Sequence, residues 1–250
     1  MKYLFYTLGF LIILFILYPL MQMIFSVSGD ILLDTIVDDE VITSILLTLR
    51  ASLWSTLFAL LLGVPLAYIL VRFNFPLKKI VEGIVDLPVI IPHSAAGIAL
   101  LSVWGRKSLF GDLTGFSIMG TEASISIAMF FVSVPFLVNS VKNGFKLIDH
   151  RYEKVAITLG ASPLRAFITI SLPMVKKSIL SGSIMMWARG ISEFGAVIVV
   201  AYHPMTAPIL IYDRYEAFGL KYAKPVAVLL ILICLLVFII LRIIEDRKKR

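Results

Sequence analysis

Six stretches of this chain are each long and apolar enough to cross a lipid bilayer as one helix. They cover residues 3–25, 43–71, 83–104, 121–141, 176–202 and 225–244. A spanning helix needs about 20 mainly apolar residues. A mean hydropathy of +0.98, with only 16% charged residues, also excludes an ordinary soluble domain. The sequence therefore predicts an all-α polytopic membrane protein with six transmembrane helices.

The first apolar stretch is longer than the ~7–15 residues of a signal-peptide core, and no small-residue cleavage site follows it. We therefore interpret it as a retained first span. Most of the 23 Lys and Arg residues fall in the terminal segments and loops that are cytoplasmic if the N-terminus is inside. The first outer loop has no basic residue and five acidic ones. This asymmetry predicts a multi-pass protein of the cell membrane with both termini in the cytoplasm.

The net charge of +7 arises mainly from the basic residues of the predicted cytoplasmic segments, which attract anionic lipid. It therefore does not indicate nucleic-acid binding. The single cysteine, Cys234, lies within a predicted span and can form no disulfide inside the chain. His93, His150 and His203 are far apart and lack the spacing of metal ligands. No catalytic Ser/His/Asp or Cys/His arrangement is recognisable, and we expect no cofactor, no metal and no enzymatic activity.

Residues 142–177 interrupt the apolar pattern with a polar, basic segment. Gly160 suits the left-handed position after a helix, and Ser162 with Pro163 suits the start of another. The pattern predicts two short cytoplasmic helices joined by a turn, the second stopped by Leu172 and Pro173 before the fifth span. Two interpretations stay open here. The segment is a solvated connector that packs on its own bundle, or it is a docking element for a partner.

The arrangement of Glu153, Ala156, Gly160 and the run Ile170–Pro173 resembles the "EAA" loop of binding-protein-dependent ABC importer permeases. It departs from that pattern at Lys154 and Val155. The resemblance implies the ABC type-1 importer permease fold, in which this loop forms coupling helices that sit in a groove of an ATPase subunit. The coupling residues it implies are Glu153, Ala156, Gly160, Ala161, Ser162, Pro163, Leu164 and Phe167. The chain has no G-x-x-x-x-G-K-[ST] phosphate loop, so ATP hydrolysis is expected on a separate subunit.

Charged residues at bilayer depth are costly and need a partner or a wet path. Arg189 and Glu193, four residues apart, either form a salt bridge that holds the fifth span or line the path of a transported anion. The third span is unusual because it carries two prolines and two titratable residues. The candidates for the pathway or its gate are Asp86, Pro88, Pro92, His93, Arg189 and Glu193.

The strings 187–196, 82–93 and 207–212 resemble the oxyanion branch of these permeases, and within it the molybdate/tungstate members. The resemblance implies a homodimer with two ATPase subunits and an extracellular oxyanion-binding protein. Two alternatives stay open. One is a sulfate or thiosulfate permease, and the other is a stand-alone secondary carrier or channel, which should show an internal repeat. We divide the chain into residues 1–42 (first helix and acidic outer loop), 43–242 (permease core with the coupling loop 142–177) and 243–250 (basic cytoplasmic tail).

Overall fold

We analysed a computed structural model of the chain, which describes residues 1–115 and 117–247; over these residues it contains helices and no strand. The first half comprises α1 Lys2–Phe25, α2 Gly29–Ile36, α3 Asp39–Arg72, α4 Lys78–Ile90, α5 His93–Trp104, α6 Leu109–Thr114 and α7 Glu122–Lys146. The second half comprises α8 Arg151–Thr158, α9 Pro163–Ala166, a π-helical turn Phe167–Ser171, α10 Leu172–Met174, α11 Lys176–Ile191, α12 Val197–Val200, α13 Ala207–Phe218 and α14 Leu220–Arg247. The all-α fold is thus confirmed.

Four helices, α1, α3, α7 and α14, are long and apolar enough to span a bilayer unbroken. The third predicted span is instead the pair α4 and α5, which bends by 112° at residues 91–92. Pro92 lacks the N–H that a continuing helix would need. The fifth predicted span is also divided, because α11 ends at Ile191 and α12 begins only at Val197. The third and fifth predicted spans are therefore not single continuous helices, and the number of six spans stays a prediction.

Local signals explain where α3 and α7 begin. The Asp38 carboxylate caps α3 by accepting the backbone N–H groups of Glu40 and Val41. Thr121 and Ser124 form a reciprocal capping box at the start of α7. Pro65 and Pro135 lie inside these two helices without ending them.

The centre of the fold is the packing of α3, α7 and α11 against one another. Small residues bring these helices close. A side chain at Gly182 would meet Ser140 of α7, and one at Gly190 would meet Ser52 of α3. By contrast, α1 has no buried residue and meets the rest of the fold mainly at α14. The predicted basic tail 243–250 belongs to α14 as far as Arg247, and residues 248–250 lie outside the described part of the chain.

Candidate functional site

The predicted turn between two short helices is present in the polar segment. Helix α8 ends at Thr158, and Gly160 adopts the left-handed conformation with φ = +93°. The Ser162 hydroxyl then accepts the N–H of Arg165 at 3.2 Å, with Pro163 as the first residue of α9. The structure therefore confirms the local geometry that the sequence predicted for this turn.

The predicted stop at Leu172 and Pro173 was wrong, because the helix continues to Met174 and the next turn leads directly into α11. Residues 167–171 form a π-helical turn in which the Leu172 N–H bonds to the Phe167 carbonyl, five residues back. Such a turn shifts the hydrogen-bond register, which accommodates the missing N–H of Pro173 within a continuous helical path.

The side chain of Glu153 points inward from α8 and is only 1% exposed. Its Oε1 atom accepts bonds from Arg72 Nε at 2.9 Å and from Ser171 Oγ at 2.7 Å. Its Oε2 atom accepts the Tyr68 hydroxyl at 3.0 Å and lies 3.0 Å from His150 Nδ1. The carboxylate thus joins three elements: the cytoplasmic end of α3, helix α8 and the π-helical turn.

Two further contacts support this network around Glu153. Arg72, itself almost fully buried, also donates to the carbonyl of Ile148 at 3.2 Å. The Tyr68 ring packs edge-on against Phe167 and Phe145, with centroids 4.7 and 5.3 Å away. Burial alone would raise the pKa of Glu153, but the hydrogen bonds from Ser171, Arg72 and Tyr68 outweigh it and hold the pKa below its ordinary value of 4.5.

The opposite side of α8 faces outward and is apolar. Tyr152, Val155 and Leu159 lie on one helical face, and Leu159 is 83% exposed. With Asp149, Arg151, Ala156 and Ile170 they line a groove of about 560 Å³, so charged side chains border the apolar face.

The eight predicted coupling residues therefore separate into two groups. Glu153 and Phe167 point into the fold, whereas Ala156 and Ala161 are partly exposed and Gly160, Ser162, Pro163 and Leu164 are exposed.

Asp86 lies on α4 beside the middle of α7. Its Oδ1 atom accepts a bond of 2.6 Å from Asn139 Nδ2. The two side chains line a cavity of about 560 Å³ together with Ser140, Asn143 and Met185, among others. Of the prolines predicted here, Pro88 is buried within α4, and Pro92 directly precedes α5. The cavity is thus a mainly apolar recess between α4, α7 and α11 that contains the polar side chains of Asp86, Asn139 and Asn143.

The predicted pairing of Arg189 with Glu193 is present, with Arg189 Nη2 2.9 Å from Glu193 Oε2. His93 completes the cluster, because its Nδ1 atom lies 3.0 Å from the same oxygen and its ring nitrogens lie 2.8 and 2.9 Å from Arg189 Nη2. The other carboxylate oxygen accepts the N–H of Ala196 at 2.8 Å. The oxygen Oε2 has Arg189 and His93 as close neighbours but no aligned hydrogen bond. Asp86 is not part of this cluster, although both sites border α11.

The sequence analysis did not identify Arg72, Tyr68 or Ser171 as partners of Glu153, nor Asn139 as the partner of Asp86. In the sequence, Arg72 contributed only to the excess of basic residues on the predicted cytoplasmic side. The one signal available was the position of Ser171 inside the Ile170–Pro173 motif. Among residues 1–115 and 117–247, no three His, Cys, Asp or Glu side chains are arranged to hold a metal ion.

Comparison with solved structures identifies the fold. A chain of a bacterial ABC transporter involved in the import of the acidic polysaccharide alginate superposes with a TM-score of 0.77, covering 100% of this chain and 97% of that one at 16% identity. A chain of the MetNI methionine ABC transporter, in an inward-facing conformation, gives 0.65 over 83% of this chain and 93% of its own at 18% identity. At these identities the likeness shows the fold of ABC importer permeases and nothing finer.

Sequence relatives are much closer. The molybdate/tungstate transport system permease protein WtpB of Thermococcus kodakarensis is 43% identical, over 98% of this chain and 96% of its own length. The WtpB protein of Methanocaldococcus jannaschii is 44% identical, over 96% and 95%. A probable sulfate transport system permease protein of Helicosporidium is 31% identical, over 94% and 90%. Residues 59–250 match the family described as the binding-protein-dependent transport system inner membrane component. The chain belongs to this family of transport permeases.

Proposed function

We propose that this chain is the membrane-spanning subunit of an ATP-driven importer that carries molybdate or tungstate into the cell. The observation that carries the choice of cargo is the 43–44% identity, over nearly the whole chain, to permeases named for molybdate and tungstate. The relative named for sulfate is less similar, at 31%. In this proposal the subunit is not itself an enzyme, because ATP is hydrolysed by a partner.

The partner ATPase docks on the outward face of α8. Exposed apolar side chains at Tyr152, Val155, Leu159 and Leu164 are unusual on a short polar segment that lies outside the bilayer. They would be buried in a groove of the ATPase, as in the helix-in-groove mode of recognition. The inward network around Glu153 supports this assignment, because it fixes α8 to α3 so that the exposed face keeps one orientation.

A second copy of the chain completes the path. Asp86, Asn143, Arg189 and Ser192 are not buried within one subunit, yet they lie in or next to the spanning segments. Polar groups at that depth face a wet cavity or another protein surface, not lipid. A two-fold partner that presents the same face would enclose them in one central path. The translocated anion then passes between the two copies as they alternate between outward-open and inward-open arrangements.

The remaining parts of the proposal concern the two sides of the membrane. Both termini and the elbow of α8 and α9 are cytoplasmic, and an extracellular oxyanion-binding protein delivers the cargo on the opposite side. Residues 43–242 form the functional core, with the coupling loop at 142–177. A solved relative of low identity was captured with its substrate-loaded periplasmic protein, which gives a precedent for such delivery within this fold.

Uptake by the reconstituted complex tests the function. The tagged chain is purified under conditions that preserve complexes, with the ATPase and binding protein encoded beside it, and placed in vesicles. We expect copurification of the ATPase and ATP-dependent uptake of tungstate or molybdate that excess sulfate does not suppress. Recovery without any ATPase would contradict the importer assignment, and equal or faster uptake of sulfate would favour the sulfate alternative.

A further inference from the structure

Two broken spans meet at the Arg189 cluster. His93 is the first residue of α5, after the 112° bend, and Glu193 lies in the break that follows α11. The backbones around them touch closely, because a side chain at Gly195 would lie 2.9 Å from His93 Cβ and one at Gly97 would lie 2.8 Å from the Ala196 carbonyl oxygen. The charged groups are therefore fixed by packing as well as by their own attraction.

Within this cluster the carboxylate is buried, whereas the basic side chains are partly exposed. The side chain of Glu193 is 1% exposed, whereas those of Arg189 and His93 are 22% and 34% exposed. Ser192, which is exposed, accepts a bond of 3.2 Å from Arg189 Nη1. A solute that approaches this surface meets a guanidinium, an imidazole and a hydroxyl before it meets the carboxylate.

This surface adjoins the Asp86 cavity. Met185, Arg189 and Ser192 are spaced by four and three residues along α11 and its end, so they follow one side of the helix. Met185 also lines the cavity that contains Asp86 and Asn139. A stripe with a guanidinium does not face lipid at this depth. It is continuous with the recess that contains the Asp86 carboxylate, so Arg189 lies along the same route.

We propose that Arg189 is a transient binding site for the translocated tetrahedral oxyanion, with His93 and Ser192 beside it, and that buried Glu193 keeps this binding weak. An unopposed guanidinium beside a path enclosed by protein would hold a dianion too tightly for rapid release. A carboxylate 2.9 Å away offsets most of that attraction, and rapid passage needs a site that is favourable enough to enter but weak enough to leave. This inference rests on the proposed function and adds the residue that contacts the cargo.

Binding of tungstate to the detergent-purified permease–ATPase complex, without the binding protein, tests this inference. Glu193→Gln removes the charge but keeps the shape, and we expect tungstate affinity to rise about tenfold or more while the rate of ATP-driven uptake falls. Adding Arg189→Ala to that variant should abolish the gain. Glu122→Gln is the matched control, because Glu122 pairs with Arg50 elsewhere in the chain, and it should leave affinity unchanged.

Ser192→Lys is the second variant, since it adds a cation on the exposed stripe without disturbing the buried carboxylate. It should also tighten tungstate binding and slow uptake. If Glu193→Gln does not assemble, this variant tests the inference by itself. Unchanged affinity in the variants that assemble, with normal uptake by the wild type, would overturn this inference and leave the proposed function intact. Absence of ATP-driven tungstate and molybdate uptake by the wild type would instead overturn the proposed function.

Discussion

The Glu153 Oε1 atom lies 2.9 Å from Arg72 Nε, although 81 positions separate the two residues along the chain. Both side chains are almost fully buried. This contact ties the short helix that carries the exposed apolar face to the cytoplasmic end of α3. The ion pair therefore gives α8 a direct buried connection to α3, in addition to the loop that joins α7 to α8.

Glu153→Gln should destabilise the protein and weaken coupling, because it leaves the buried Arg72 without its counter-charge. Breaking a buried pair from one side typically costs about 3–5 kcal/mol. The measurements are the thermal unfolding midpoint of the purified complex and the amount of substrate moved per ATP hydrolysed. Glu82→Gln is the control, since Glu82 is partly exposed and lies 3.7 Å from Lys142. An unchanged ratio of uptake to hydrolysis in the Glu153 variant would contradict the coupling role.

The pH dependence of stability should report the same network. The pKa of Glu153 is lowered below 4.5 by its hydrogen bonds, so its contribution is fully present above the ordinary value and is lost as pH falls through the folded-state pKa. The difference in unfolding midpoint between wild type and Glu153→Gln should shrink as pH falls below 4.5. A difference that does not shrink between pH 4.5 and about pH 3 would contradict this ionised state.

The outward face of α8 gives a separate prediction, about docking. Leu159→Asp should leave membrane insertion intact but lower ATPase copurification about tenfold or more, because docking would bury an unpaired carboxylate in an apolar contact. Leu77→Asp is the matched control, since Leu77 is an exposed leucine in another loop of the predicted cytoplasmic side. Equal ATPase recovery in both variants would place the docking surface elsewhere.

Gly160 offers a test of the turn itself. Its φ of +93° is one that proline cannot adopt, so Gly160→Pro should insert normally and lose ATP-driven uptake. Gly160→Asn is the control at the same position, because asparagine tolerates positive φ far better than most residues. No atom lies within 4 Å of the added Cβ, so a difference between the two variants would come from the backbone. Normal uptake by the proline variant would show that this turn is dispensable.

Local chemistry explains which features could be predicted from the sequence. The turn at Gly160, the cap at Ser162 and the four unbroken spans depend on neighbours within a few residues or on a long apolar run. The Glu153–Arg72 and Asp86–Asn139 contacts join residues 81 and 53 positions apart, and no local pattern specifies such pairs.

The sharp bend of the third span and the break in the fifth could not be predicted, for a related reason. Both stretches are apolar enough to read as one helix, but hydropathy does not report whether the backbone is continuous. Pro92 marks the position of the break in the third span. The size of the bend there, 112°, is not specified by the proline alone. The break at 192–196 depends on tertiary contacts, because the Glu193 carboxylate bonds to the Ala196 backbone and contacts His93 from another span.

Close packing at these two breaks can be tested at Gly97. An added Cβ would lie 2.8 Å from both the Ala196 carbonyl oxygen and Val199 Cβ, which is closer than a Cβ atom approaches a non-bonded neighbour. The carbonyl belongs to the backbone, so it cannot move aside easily. Gly97→Ala should therefore push α5 away from residues 196–199 at a cost of about 1–3 kcal/mol. It should lower the unfolding midpoint and reduce uptake, because the shift also moves His93 relative to Arg189 and Glu193. Gly83→Ala is the control, since Gly83 is helical and has open space around its Cβ. If Gly97→Ala matches that control in both measurements, neither stability nor transport depends on the close contact of Gly97 with residues 196–199.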